Sequence, residues 1–194
     1  MTDTILQTPN PYFIFREPDL LEETNICWLN GEIDTNSHDY VIRFILGRHY
    51  RKEKRPDHIK LFINSEGGSV YDSFGIIDTM DLTDIPIWTY AIGQVCSGGL
   101  FIFMNGAPGK RFFMKNVTVM SHQWSGVAMG KEHEIKASEK ENKLLSARVM
   151  RHYIKCTGLD KDIIKEKLLP PEDIYLSPRE SIKYNLGDKI AVSL

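Results

Sequence analysis

Residues 59–80 read IKLFINSEGGSVYDSFGIIDTM, and residues 86–104, PIWTYAIGQVCSGGLFIFM, repeat the same order of elements. In each stretch an apolar run typical of a strand leads through a glycine turn into a segment with the apolar pattern of a helix. Successive strand–turn–helix units predict an α/β fold with parallel strands. Folds of this class place their functional sites at the carboxyl ends of the strands, where both glycine turns lie.

The rest of the chain predicts an N-terminal arm and one long helix. Prolines interrupt residues 1–24, which we expect to form an arm or loop before a single domain at 25–194. Within that domain the apolar runs predict strands at 59–63 and 86–92. The highly charged stretch 131–155 predicts a long helix. Because its apolar stripe is narrow, we expect this helix to pack against another subunit.

Composition argues against several classes of protein. The chain has 194 residues, 42% of them hydrophobic, and a net charge of -2, which argues against dedicated nucleic-acid binding. Its apolar runs are shorter than the ~20 residues that cross a bilayer, and its first residues do not resemble a secretion signal. The three cysteines are odd in number and widely spaced, which argues against a disulfide framework or a zinc site. We therefore expect a cytoplasmic protein without a bound metal.

Ser97 is the candidate nucleophile. It lies between two apolar segments with glycines nearby, a setting that suits an exposed hydroxyl better than core packing. A serine becomes a nucleophile when a histidine takes its proton and a carboxylate orients the histidine. His122, at the end of the apolar run 117–121, is a candidate base. The structural alternative is that Ser97 merely caps a helix and His122 is an ordinary core histidine.

The residues alone leave the partners of Ser97 open. Composition does not choose His122 over His133 or His152. Five carboxylates compete for the orienting role: Asp160, Asp162, Glu172, Asp173 and Asp188.

The glycine turns predict where an oxyanion would bind. Glycine lets backbone amides approach a ligand closely, and a helix start leaves N–H groups without intrahelical acceptors. We expect the N–H groups of Gly68 and Gly98 to form an oxyanion hole beside Ser97.

From about residue 25 to the C-terminus the sequence resembles the proteolytic subunit of the Clp protease, a serine peptidase family. The order and spacing of its motifs match over most of the chain. The matching segments are LFINSEGGSV at 61–70, IIDTM at 76–80, GQVCSGG at 93–99, GKR at 109–111, VMSHQ at 119–123, LSPRES at 176–181 and YNLGDKI at 184–190.

The resemblance implies a triad in which Ser97 is the nucleophile, His122 the general base and Asp173 the orienting carboxylate. It implies a fold of repeated ββα units, related to the crotonases, with 131–155 as a protruding handle helix. It also implies an endopeptidase that cleaves unfolded polypeptides inside a chamber of heptameric rings, stacked as a tetradecamer. Family members use no cofactor themselves, because ATP is used by a partner AAA+ unfoldase; sister subunits are the other expected partners.

An extended substrate is expected to add as a strand between two segments of the chain. One is Gly67, Gly68, Ser69 and Val70, and the other is Trp124, Ser125 and Gly126.

Four residues depart from the pattern of the family. Glu66 replaces a proline beside the oxyanion turn, and Gly98 replaces the methionine after the nucleophile. Trp124 replaces a proline next to the predicted groove, and Glu172 replaces an arginine that links rings. Two other functions therefore stay open: a non-proteolytic or regulatory ring subunit, and a crotonase-type acyl-CoA enzyme. The host of such a chain could be a bacterium, an organelle with a stroma, or a virus.

Overall fold

The computed structural model describes residues 23–126 and 129–192, so the predicted arm at 1–24 lies almost wholly outside the described residues. The strands are β1 (Ile26–Asn30), β2 (Ile59–Ser65), β3 (Ile87–Cys96), β4 (Arg111–Phe113), β5 (Thr118–Ser121), β6 (Ile174–Leu176) and β7 (Lys189–Ile190). The helices are α1 (Thr35–His49), α2 (Val70–Leu82), α3 (Gly98–Met104), α4 (Glu132–Thr157), α5 (Lys161–Lys167) and α6 (Pro178–Lys183).

The strands form one mixed sheet in which parallel pairing dominates. The main path runs β1-β2-β3-β4-β7, and each pair along it is parallel. β5 pairs with β3 in parallel and with β6 in antiparallel fashion. The predicted α/β fold with parallel strands is therefore confirmed.

β3 bends at Gly93 and changes partner there. Its residues 89–91 pair with β4, whereas residues 94–96 pair with β5. Gly93 has φ +63°, and a Cβ at this position would lie 2.4 Å from Asn64 Oδ1. That same oxygen accepts a hydrogen bond from the Gln94 N–H at 3.1 Å. The bend carries the end of β3 to the end of β5, so the strand runs four residues beyond the predicted 86–92.

The two faces of the sheet differ in the side chains that they carry. On one face, apolar side chains such as Leu61 and Phe113 belong to the hydrophobic core. On the other, residues in register across β1 to β4 stack as an aromatic row of Trp28, Phe62, Tyr90 and Phe112. Trp28, at the edge of this row, is 43% exposed. Phe62 and Tyr90, in the middle of the row, are buried, so the exposed apolar surface on this face lies at Trp28.

α4 confirms the predicted long helix. Its 26 residues span about 39 Å at the usual rise per residue. The buried residues of α4 begin at Leu145, and nearly all of its N-terminal half is exposed. A hydrogen bond from the Tyr71 hydroxyl to Glu141 connects this half to the body of the chain. Leu144 is 60% exposed. The first half of α4 therefore protrudes as a handle. Among the helices of the described ranges, none is long and apolar enough to cross a membrane.

Candidate active site

Ser97 occupies a strained backbone position between β3 and α3. Its φ is +51°, a value that few residues other than glycine adopt. Its N–H donates to Met120 O on β5 at 3.0 Å, and its carbonyl accepts from the Phe101 N–H in α3 at 3.1 Å. Although Ser97 stands at the N-cap of α3, its side chain makes no capping hydrogen bond. The sharp turn therefore presents the hydroxyl to another partner.

That partner is His122. His122 Nε2 lies 2.8 Å from Ser97 Oγ. The contact follows from the parallel register of β3 and β5, in which Cys96 is opposite Met120. Ser97 directly follows β3 and His122 directly follows β5, so the two residues meet at the same edge of the sheet. A hydroxyl and an imidazole at this distance have the geometry for general-base activation.

Asp173 lies next to His122 because of the antiparallel register of β5 and β6. Ser121 pairs with Ile174, and one step further along the ladder puts His122 opposite Asp173. The distance from His122 Nδ1 to Asp173 Oδ1 is 3.4 Å, and the Asp173 side chain is 52% exposed. A three-membered chain of serine, histidine and carboxylate is thus present, with a close first contact and a looser second one.

The competing residues lie elsewhere. His152 is buried and bonds Phe101 O at 2.9 Å, and burial lowers its pKa to about 4. His133 is exposed in the first turn of α4. Asp188 pairs with the Arg111 guanidinium at 2.7 Å. Glu172 is exposed, one residue out of register with His122.

The glycine turn lies directly against Ser97. A Cβ on Gly67 would be 2.7 Å from Ser97 Cβ, so only glycine fits there without displacement. Ile33 forms a parallel bridge with Gly68 in which the Ile33 N–H bonds Gly67 O and the Ser69 N–H bonds Ile33 O, each at 2.8 Å. Backbone groups alternate in direction along an extended segment, so the Gly68 N–H points away from Ile33.

A second N–H comes from the start of α3. Gly98 is the first residue of this helix, so its N–H has no acceptor within the helix. Gly98 N lies 3.2 Å from the position of a Cβ on Gly67. The two predicted donors, Gly68 and Gly98, thus belong to turns in van der Waals contact around Ser97.

Of the predicted substrate segment 67–70, Ser69 has its groups already engaged. Its N–H bonds Ile33 O, its carbonyl accepts from the Ser73 N–H at 3.0 Å, and its hydroxyl caps α2 through the Asp72 N–H. The Gly68 N–H points away from Ile33, and the Val70 N–H, at the first residue of α2, has no acceptor within the helix. The Ser69 N–H, in contrast, is already paired within the chain.

The second predicted substrate segment is shaped by Trp124. The indole Nε1 donates to Ser146 Oγ on α4 at 3.0 Å. A Cβ on Gly126 would be 2.9 Å from the Trp124 ring, so the ring lies against the Gly126 backbone. Ser125 and Gly126 are exposed. The tryptophan thus ties this segment to the long helix.

Glu66 is exposed at the start of the turn, directly after β2. Burial, and after it the Glu66 charge, raise the pKa of the neighbouring Cys96 thiol. The thiol next to Ser97 is therefore protonated and serves as a packing group.

Sequence reasoning missed the hydrogen bonds made by the side chains on either side of His122. Ser121 bonds Tyr153 and Leu168 O, and Gln123 bonds Leu169 O. The one available signal was the hydroxyl of Ser121 at the end of β5, directly before His122.

Over residues 23–126 and 129–192, no three histidine, cysteine, aspartate or glutamate side chains form a group that could hold a metal ion.

Comparison with known proteins gives concordant matches. The family model described as Clp protease matches residues 14–193. The chain is similar to ATP-dependent Clp protease proteolytic subunit 1 of Rhodopirellula baltica, with 33% identity over 181 residues, 89% of this chain and 74% of the relative. The protein of the same name from Prochlorococcus marinus is 33% identical over 172 residues, 88% of this chain and 85% of the relative.

Proposed function

This chain belongs to the Clp protease family, and we propose that it is a serine endopeptidase with Ser97, His122 and Asp173 as its triad. The observation that carries the proposal is the 2.8 Å contact between His122 Nε2 and Ser97 Oγ. Its relatives are named as proteolytic subunits of an ATP-dependent protease, and we assign this chain the same part.

The reaction follows from the roles of the three side chains. Ser97 Oγ attacks the carbonyl carbon of the scissile peptide bond while His122 Nε2 takes the hydroxyl proton. His122 then gives that proton to the leaving amine, which departs and leaves an acyl-enzyme ester on Ser97. Water, deprotonated by His122, hydrolyses the ester and restores the hydroxyl. Asp173 accepts the Nδ1–H of His122 and stabilises the imidazolium.

Backbone groups stabilise the oxyanion of each tetrahedral intermediate. The N–H groups of Gly68 and Gly98 are the proposed donors, since they belong to turns that touch each other beside Ser97. The substrate lies as an added strand against Gly68 and Val70 on one side and residues 124–126 on the other. Backbone pairing reads little of the substrate sequence, which suits a protease for unfolded chains. The chemistry requires no metal or organic cofactor.

The proposal extends to assembly. The protruding half of α4, with exposed Ile135 and Leu144, and the exposed edge of the aromatic row at Trp28 are apolar surfaces suited to contact with other subunits. We propose heptameric rings, paired as a tetradecamer through α4, that enclose the active sites. An AAA+ unfoldase would feed polypeptides into the chamber at the expense of ATP, and the location would be cytoplasmic.

One assay separates the proposed activity from the two alternatives. The assembled protein should cleave a short fluorogenic peptide, because Ser97 and His122 have the geometry for acyl transfer, and it should not hydrate the double bond of an enoyl-CoA thioester. Native mass spectrometry of the same sample should report heptamers or their multiples. Hydration of the enoyl-CoA without peptide cleavage would indicate a crotonase-type enzyme. Assembled rings without either activity would indicate a regulatory subunit.

The identity of the orienting carboxylate has its own test. Asp173→Ala should lower kcat/KM for the peptide by about 10²- to 10³-fold, less than the loss of a buried triad aspartate, because Asp173 is half-exposed. Glu172→Ala removes the adjacent exposed carboxylate and should change kcat/KM by less than about threefold. Equal losses in the two variants would contradict the assignment of Asp173.

A further inference from the structure

His122 needs an anchor besides Asp173. The ion-pair contact is 3.4 Å long and Asp173 is half-exposed, so this contact alone restrains the imidazole weakly. Catalysis nevertheless requires Nε2 to stay within hydrogen-bond reach of Ser97 Oγ. The restraint must come from the backbone that carries the ring.

Both sequence neighbours of His122 are tied to the same short segment. The Ser121 hydroxyl donates to Leu168 O, and the Gln123 Nε2–H donates to Leu169 O at 2.9 Å. Leu168 and Leu169 are both buried. Two consecutive carbonyls therefore hold the backbone on either side of His122.

Tyr153 of α4 completes the arrangement from inside the core. Its side chain is fully buried, and its hydroxyl lies 2.7 Å from Ser121 Oγ. Ser121 has a single hydroxyl hydrogen, which it donates to Leu168 O, so it accepts from the Tyr153 O–H. Burial raises the pKa of Tyr153 far above its ordinary value, and the phenol keeps its proton. The result is a directed chain from Tyr153 through Ser121 to Leu168.

The anchored segment leads straight to Asp173. Pro170 and Pro171 follow Leu169, and proline fixes its own φ, so little backbone freedom separates the two carbonyls from the carboxylate. The same anchor thus serves both members of the His122–Asp173 pair.

We infer that Ser121, Gln123 and Tyr153, here called the bracket, are positioning residues that hold His122 and Asp173 in working alignment. The inference rests on the proposed function, since it assigns a role within that triad. A buried polar network of this kind also stabilises the fold when satisfied. The experiment must therefore separate alignment of His122 from stability alone.

Paired substitutions isolate each hydrogen bond. Ser121→Val and Ser121→Thr have the same shape, but only threonine keeps the hydroxyl. Tyr153→Phe removes one oxygen from the core, and Gln123→Met removes an amide from an exposed side chain with no risk to the core. We expect Ser121→Val, Tyr153→Phe and Gln123→Met to lower kcat for peptide cleavage by about 10- to 100-fold with KM unchanged. Ser121→Thr should keep kcat within about threefold of wild type.

The control removes a buried hydroxyl away from the site. Thr89→Val deletes the hydrogen bond from Thr89 Oγ1 to Phe103 O, which is 2.9 Å long. It should lower the melting temperature about as much as Ser121→Val and leave kcat unchanged. A matching loss of kcat in Thr89→Val would assign the effect to stability and overturn the inference.

A double-mutant cycle makes the dependence on His122 explicit. In a His122→Ala background the slow labelling of Ser97 by a fluorophosphonate should no longer respond to Tyr153→Phe or Gln123→Met. An equal response with and without His122 would overturn the bracket. No labelling of the wild-type protein at all would instead overturn the proposed function. Wild-type labelling that the bracket variants leave unchanged would overturn the bracket alone.

Discussion

Replacing Ser97 with alanine is expected to reduce peptide cleavage by about 10⁵- to 10⁶-fold, as happens when a serine protease loses its nucleophile. The substitution removes one oxygen, and alanine adopts the φ of +51° at a similar cost to serine. The fold and the rings should therefore persist. Peptide hydrolysis, melting temperature and native mass should be measured together on the same preparation.

A second serine serves as the control for Ser97→Ala. Ser181 is buried in α6, where its hydroxyl bonds Ser177 O at 2.9 Å, away from the glycine turns. Ser181→Ala should keep activity within about threefold of wild type. Residual cleavage by Ser97→Ala of more than about one part in a thousand would mean that another group is the nucleophile.

Alanine at Gly68 is expected to lower kcat/KM by about 10²- to 10³-fold, comparable to the loss of one oxyanion donor. The new Cβ would lie 2.3 Å from Ile33 O and 2.8 Å from Ile33 N, so backbone would have to move. The bridge between Ile33 and the turn aims the Gly68 N–H, and its displacement would move that N–H away from the oxyanion. Peptide kinetics on assembled protein provide the measurement.

Gly109→Ala is the matched control, because it also puts a side chain at a positive φ but brings the new Cβ into contact with no other atom. Gly109 has φ +77°, and a Cβ there would meet nothing within 4 Å. This variant should lose a little stability, of the order of 1 kcal/mol, and retain full activity. The oxyanion assignment fails if Gly68→Ala and Gly109→Ala retain similar activity.

The path to Ser97 could be predicted because it depends on local patterns. Two apolar runs that lead into glycines indicate strands and turns. Ser97 follows the second run and precedes another apolar segment, where its hydroxyl has no packing role. The same logic could not predict the bend of β3 at Gly93. The bend depends on the Asn64 side chain, which lies on another strand. A contact between two strands produces no periodic pattern in the sequence.

The choice of Asp173 over Glu172 shows a similar limit. From the residues alone five carboxylates competed, and only the resemblance to a family selected one. In the structure the selection follows from the register of β5 and β6, a pairing of three residues each. Strands this short carry no alternation from which a register could be read.

The bracket could not be predicted for a third reason. Ser121, Gln123 and Tyr153 act through hydrogen bonds to backbone carbonyls or to one another, across more than 30 residues of sequence for Tyr153 and Ser121. Backbone acceptors are present at every residue, so no motif marks the partner. Long-range contacts of this type appear only once the chain is folded.

Mapping a fluorophosphonate adduct on the assembled wild-type protein tests the central claim most directly. The probe reacts rapidly with a serine only when a neighbouring base activates it. We predict one adduct per chain, on the peptide that contains Ser97, found by mass spectrometry after digestion. An adduct on a different serine, or none in rings that still cleave peptides, would contradict the assignment of Ser97 as the nucleophile.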